Sequence, residues 1–145
     1  MLSYRQPIKY GKAEVIYKER DIMIMAVGSM VKEAELTRDI LKSKGYNVTL
    51  VNARFVKPFD EECIMELAST HKLLVTMEEN ILNGGFGEEV LKFANNVDLK
   101  LDVLNIAVPN IYLEQGNVDI LRKEVGLDAE SMAKRIEAKY TRVGL

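Results

Sequence analysis

Ile22-Met23-Ile24-Met25-Ala26-Val27-Gly28-Ser29 is the stretch that decides the fold. Its first six residues are apolar without a polar interruption. An unbroken run of that length is the habit of a strand covered on both faces, as in parallel sheets flanked by helices. Ile22 to Val27 is therefore read as the central strand. Upstream, Ala13 to Tyr17 forms a shorter β-type run, separated from it by the polar tetrapeptide Lys18-Glu19-Arg20-Asp21. Four polar residues between two strand-like runs predict a hairpin, with the first strand antiparallel to the second.

Downstream the pattern changes to a period near 3.6. Gly28-Ser29 closes the strand, with Ser29 a candidate N-cap, and Lys32 to Lys44 carries Val31, Ala34, Leu36, Ile40 and Leu41 on or near one face. Gly45 stops this helix where a left-handed residue is usual. Tyr46 to Val51 alternates, and Asn47 to Asn52 reads as a second buried strand. Ala53 to Phe59 is a loop, and Asp60 caps a helix with Glu61 and Glu62 in its first turn, where the helix dipole favours acids. That helix ends near His71, and Lys72 to Met77 is the next strand. Glu78 to Asn83 reads as a loop into Gly84-Gly85-Phe86-Gly87 and a helix over Glu88 to Asn95. Asp102 to Val108 is the last strand. An irregular stretch from Ile111 to Asn117 leads to helical segments Val118–Val125 and Ala129–Tyr140, separated by Gly126, with Asp128 as cap of the second. The order β-β-α-β-α-β-α-β-α-α predicts an α/β fold: a three-layer α/β/α sandwich around a mostly parallel five-stranded sheet with one antiparallel edge strand. Residues 1–12 read as a linker or N-terminal extension and 13–145 as one domain.

Composition sets outer limits on function. The chain has 145 residues, 48% hydrophobic and 29% charged, the balance of a globular domain. Twenty basic against 22 acidic residues give a net charge of −2, without the basic excess of a nucleic-acid binder. No apolar run approaches the ~20 residues of a membrane span. One cysteine, Cys63, permits no internal disulfide, so a cytoplasmic location is expected. With one histidine and one cysteine there is no His/Cys metal cluster, and a Ser-His-Asp triad would have to use His71.

Ligands of open α/β sheets bind beyond the carboxyl ends of the strands. Gly84-Gly85-Phe86-Gly87 opens a helix there, and helix N-termini attract anions. Yet it is neither G-x-G-x-x-G nor a P-loop, and Glu78, Glu79, Glu88 and Glu89 crowd it with like charge. Glu78 and Glu79 could form an acid/base or metal pair, but neighbours on an extended segment point to opposite sides, so a structural or interface role is favoured. Arg54 and Lys57 could hold a phosphate or carboxylate; the favoured reading pairs Arg54 with an acid while Phe55 and Pro58 fix the loop. His71 is expected to be exposed at a helix end and Cys63 to belong to the core. The residues thus yield possible interface or anion contacts (Arg54, Lys57, Glu78, Glu79, Gly84, Gly85 and Gly87) but no catalytic, cofactor-binding or metal-binding set.

Six segments in order carry a family resemblance: Pro7 to Ala13, Asn52-Ala53-Arg54-Phe55-Val56-Lys57-Pro58-Phe59-Asp60-Glu61, Leu73 to Asn80, Gly84 to Gly87, Pro109 to Gly116, and Glu124 to Ala129. Together they resemble the C-terminal domain of 1-deoxy-D-xylulose-5-phosphate synthases, from about Pro7 to Tyr140. The glutamate pair and glycine turn are shared more widely with transketolases and 2-oxo acid dehydrogenase β subunits. The resemblance implies a thiamine diphosphate enzyme that condenses pyruvate with glyceraldehyde 3-phosphate, releasing carbon dioxide, for isoprenoid, thiamine and pyridoxal synthesis. In that family magnesium and the diphosphate are bound through a Gly-Asp-Gly motif of the first domain, and the second domain supplies the glutamate that activates the cofactor. Neither the Gly-Asp-Gly motif nor the second domain's R-Y-P-R-G stretch occurs here. The resemblance therefore implies a third domain that is inactive alone, partnered by the preceding thiamine-binding domains within a homodimer. The alternatives are the C-terminal domain of a transketolase or 2-oxo acid dehydrogenase β subunit and, from another class, a non-enzymatic module that docks an anion or a protein.

Overall fold

The computed structural model of the chain describes residues 9–79, 85–108 and 128–143. Five strands, β1 (Glu14–Tyr17), β2 (Asp21–Ala26), β3 (Val48–Asn52), β4 (His71–Glu79) and β5 (Asp102–Val108), form one sheet in the order β1-β3-β2-β4-β5. β2 pairs parallel with both β3 and β4, and β5 parallel with β4. β1 is the antiparallel edge.

The alternation of side chains along β2 explains its unbroken apolar sequence. Ile22, Ile24 and Ala26 enter one core, with Leu50, Val75 and Met77, beneath α1 (Met30–Ser43) and α4 (Ala129–Val143). Met23 and Met25 enter the other, with Val51 and Leu74, beneath α2 (Glu61–Ala68) and α3 (Phe86–Asn96). Both faces of the strand are therefore dry, and each residue from Ile22 to Ala26 is buried. The three-layer α/β/α sandwich predicted from the sequence is the architecture observed.

The predicted hairpin does not form. β1 pairs with β3, and β3 separates it from β2. Moving sideways by two strands is about 10 Å, which three extended residues can span. Lys18 to Arg20 makes that crossing over the start of β3. Its middle residue is fixed there: the Glu19 N–H donates to Thr49 Oγ1 (2.8 Å), and the Val48 N–H donates to Glu19 Oε1 (3.0 Å). Arg38 and Lys42 of α1 reach the same carboxylate at 2.7 and 2.8 Å. Asp21, at φ 72°, then turns the chain into β2. Charged residues that looked like a turn are thus a crossing anchored to two other elements.

Helix boundaries follow local chemistry with a few shifts. α1 starts at Met30, ahead of the expected Lys32, and Ser29 does not cap it: Ser29 is helical in conformation, and its hydroxyl donates to Glu79. Gly45, at φ 97°, ends the helix as anticipated, with the Gly45 and Tyr46 N–H groups donating to the Lys42 and Leu41 carbonyls. Asp60 caps α2 by accepting from the Cys63 N–H at 3.1 Å. Its second oxygen accepts from the Ala13 N–H at 2.9 Å, tying the approach to β1 down to α2. Asp128 accepts weakly from the Ser131 N–H (3.4 Å) at the start of α4. α3 begins at Phe86 rather than Glu88, and β4 extends through Glu79. The helix expected over Val118–Val125, the irregular stretch Ile111–Asn117 and Gly126 lie outside the described residues. Among the described residues no helix is long and apolar enough to cross a membrane.

Candidate functional site

The carboxyl ends of β2 to β5 bring together most of the residues singled out from the sequence. Glu78, last but one in β4, is buried and turned towards α3. Its Oε1 accepts from the Phe86 N–H at 2.8 Å and its Oε2 from the Gly87 N–H. A carboxylate of the chain itself thus fills the position an external anion would take at this helix start, where unpaired N–H groups and the dipole favour negative charge. That geometry explains the glycines. A Cβ on Gly85 would lie 2.5 Å from Glu78 Oε1. A Cβ on Gly87 would lie 2.9 Å from Glu78 Oε2 and equally close to Asn105 Oδ1. The turn is glycine-rich because a buried carboxylate approaches its backbone. Gly84 lies outside the described residues. The Phe86 and Gly87 N–H groups are thus taken by Glu78 rather than open to an external anion.

Glu78 and Glu79 do diverge as extended neighbours must. Glu79 is exposed and accepts from the Ser29 hydroxyl, so the two carboxylates share neither a proton nor an ion position. Beneath Glu78, the Thr76 hydroxyl donates to Asn105 Oδ1 at 2.7 Å, joining β4 to β5 under the start of α3.

Arg54 is held as an internal cation. Its guanidinium lies 3.2 Å from Glu14 Oε1, and the two side chains are 10% and 8% exposed. The backbone at Arg54 is left-handed (φ 61°), stabilised as its N–H donates to Asn52 Oδ1 at 3.1 Å. The pair links the loop after β3 to β1, leaving the guanidinium engaged with an acid of the fold. Lys57, by contrast, is exposed. Cys63 is partly buried against the α2–α3 core, and burial pushes its thiol up to about 11, so it is no nucleophile near neutral pH.

His71 departs furthest from expectation. It is the first residue of β4 and only 4% exposed, at the opposite end of the sheet from these residues. Its Nδ1 lies 2.6 Å from the Leu67 carbonyl and its Nε2 2.7 Å from Thr49 Oγ1. The sequence offered one signal for this: the apolar run Leu73-Leu74-Val75 follows at once, so a strand starting there takes His71 inside.

Among the described residues no group of three or more His, Cys, Asp or Glu side chains could hold a metal ion. A surface cleft of about 670 Å³ runs between α1 and α4 beside Lys32, Leu36, Asp39, Ile40 and Glu130. Its opposed charges and isolated apolar side chains form no nucleophile–base arrangement. The described carboxyl-end groups are consumed in holding strands, loop and helix together. Their arrangement is one of support, presenting Lys57 and Glu79 outward from a rigid sheet end.

Comparison with known proteins agrees with this reading. Residues 11–132 match the model of the family described as the transketolase C-terminal domain. The chain is 46% identical over 134 residues to a 1-deoxy-D-xylulose-5-phosphate synthase of Lachnoclostridium phytofermentans, covering 92% of this chain and 21% of the relative. It is 40% identical to the protein of that name from a Synechococcus species and 37% identical to that of Caldanaerobacter subterraneus, covering 93% and 96% of this chain and 21% and 22% of those relatives. It thus spans about a fifth of the length of the relatives it matches. Among solved structures, a split-gene transketolase described as an inactive β4 tetramer superposes with a TM-score of 0.80 at 25% identity, covering 92% of this chain and 44% of that one. The match over most of the length, with the five-stranded sheet and its antiparallel edge, establishes that the chain belongs to the transketolase C-terminal domain family.

Proposed function

We propose that the chain serves as the C-terminal, supporting domain of a 1-deoxy-D-xylulose-5-phosphate synthase, whose complete form condenses pyruvate with glyceraldehyde 3-phosphate. The observation that carries the reading is the agreement in name among relatives 37–46% identical that align over nearly all of this chain. The partners proposed are the thiamine-binding domains of the same enzyme, in a cytoplasmic homodimer that feeds isoprenoid, thiamine and pyridoxal synthesis. Thiamine diphosphate and magnesium do not fit the described residues. The glycine turn that would suit a diphosphate is closed by Glu78, and no Gly-Asp-Gly motif occurs in the sequence. No chemical step is therefore assigned to this chain. Its work is mechanical: the buried Glu78 and Arg54–Glu14 contacts fix the sheet end against which other domains would rest.

A domain exchange tests the proposal. This chain replaces the corresponding C-terminal fifth of the Lachnoclostridium phytofermentans relative, and product formation from pyruvate and glyceraldehyde 3-phosphate is measured. The exchanged enzyme is expected to turn over, whereas the same enzyme lacking its C-terminal fifth is not. An exchanged enzyme that folds yet stays as inactive as the truncation contradicts the proposal. The structural likeness to the split-gene transketolase favours a second reading, a transketolase-type subunit. An exchange accepted only by a transketolase would decide for it.

A further inference from the structure

The bonds around His71 fix its protonation state without reference to any titration. The Leu67 carbonyl can only accept, so the Nδ1 facing it at 2.6 Å must carry a hydrogen. Thr49 Oγ1 already accepts from the Glu19 N–H at 2.8 Å. Its own hydrogen is then free to donate to Nε2, 2.7 Å away, provided that Nε2 carries a lone pair. With the ring neutral and its hydrogen on Nδ1, every polar atom in the chain Glu19 N–H, Thr49 hydroxyl, His71 ring and Leu67 carbonyl is satisfied. A proton on Nε2 would turn it into a second donor towards Thr49, whose side chain is fully buried, and would orphan the hydroxyl hydrogen.

Three pieces of the fold meet on this one ring. Leu67 ends α2, Thr49 lies in β3, and through Thr49 the ring reaches Glu19, the midpoint of the crossing from β1 to β2. A second cleft of about 600 Å³, lined by Lys18, Arg20, Asp21, Thr70 and Lys72, opens beside the ring and gives protons a path to it. We propose that His71 is a proton-sensitive latch between α2, β3 and the 18–20 crossing, tightest when neutral and weakened at its Thr49 bond when Nε2 is protonated.

The surroundings weigh the balance. Burial disfavours the imidazolium and holds the ring below the ordinary histidine value, while the Leu67 carbonyl and Asp21 of β2 oppose that and Lys18 adds to it. The Thr70 hydroxyl, 3.0 Å from Nδ1, adds no charge. Of the other charged groups on these elements, Arg20 lies beside Asp21, Glu19 is paired with Arg38 and Lys42 of α1, and Lys72 and Glu66 are exposed. With the folded value lowered, the stabilisation is complete above the unfolded value, about 6.5, and is lost as pH falls below it.

His71 is the only histidine, so its ring signals are unambiguous in a nitrogen-resolved NMR titration of the chain. The neutral Nδ1–H form is expected at pH 7.5, with protonation only below the ordinary histidine value. Hydrogen exchange, corrected for intrinsic rate, is expected to quicken between pH 7 and 5 at 18–20, 48–50 and 67–71 ahead of the sheet centre. The unfolding constant should rise by up to tenfold per pH unit there. His71→Asn, whose amide can still donate to Leu67, should abolish both dependences between pH 6.5 and 5. An Nε2–H tautomer, titration at or above the ordinary value, or the same pH dependence in His71→Asn would overturn the latch.

Discussion

Gly87→Ala reverses a familiar rule, and its sign tests the site geometry. Gly87 lies in the first turn of α3, and replacing a helical glycine by alanine ordinarily stabilises by up to ~1 kcal/mol. Here the added methyl would sit 2.9 Å from Glu78 Oε2, from Asn105 Oδ1 and from Asn105 Cγ. Ordinary contact begins near 3.4 Å, so the neighbours must retreat by about half an ångström. None is the end of a long, loose side chain. Glu78 is pinned by the Phe86 and Gly87 N–H groups, and Asn105 by the Thr76 hydroxyl. Overpacking of this kind costs about 1–3 kcal/mol. The variant is therefore expected to be less stable by about 1–3 kcal/mol in urea unfolding, with a melting temperature lower by ~4–10 °C.

A double-mutant cycle locates the cause. Glu78→Ala alone should cost about 2–4 kcal/mol, because it uncovers two buried donors and removes a charge favoured by the helix start. Combined with Gly87→Ala, the two losses should add to less than their sum by ~1 kcal/mol or more, since the second methyl then meets only Asn105. A Gly87→Ala protein as stable as the parent or more so, with additive energies, would refute the claim that a carboxylate closes the turn.

Other contacts make their own predictions. Arg54→Met should destabilise by about 1–3 kcal/mol in denaturant melts, because it removes the cation held 3.2 Å from the Glu14 carboxylate where both side chains are at most 10% exposed; a change below ~0.5 kcal/mol contradicts the internal-cation reading. Asp60→Ala loses the α2 cap and the acceptor for the Ala13 N–H, an expected cost of ~1–2 kcal/mol. With its thiol pushed up to about 11, Cys63 should be only ~0.1% thiolate at pH 8 and alkylate far more slowly than in the unfolded chain; equal rates would show that burial does not protect it.

The fold was legible because its strands are buried on both faces, which leaves unbroken apolar runs at Ile22–Val27 and Leu73–Val75. Caps at Asp60 and Gly45 were legible for an equally local reason, a side chain or a positive φ that acts within its own turn. Partners distant in sequence were not. The Lys18–Asp21 tetrapeptide has the chemistry of a turn, and only the positions of Thr49, Arg38 and Lys42 make it a crossing. Ser29 has the chemistry of a cap, but Glu79, 50 residues away, takes its hydroxyl. The same holds at the site. The glycines at 85 and 87 looked like an anion-binding turn, and the identity of the anion, the protein's own Glu78, depends on a strand–helix approach that local sequence does not encode. The ordered set of short motifs carried the family, which single residues could not.

As proposed, the domain supports a thiamine enzyme without holding the cofactor itself. Titration calorimetry of the purified chain with thiamine diphosphate and magnesium measures that directly. The expected result is no saturable heat up to millimolar cofactor, from a protein that circular dichroism shows to be folded. Stoichiometric binding at micromolar affinity would contradict it, since Glu78 occupies the start of α3 and the described residues hold no cluster of metal ligands.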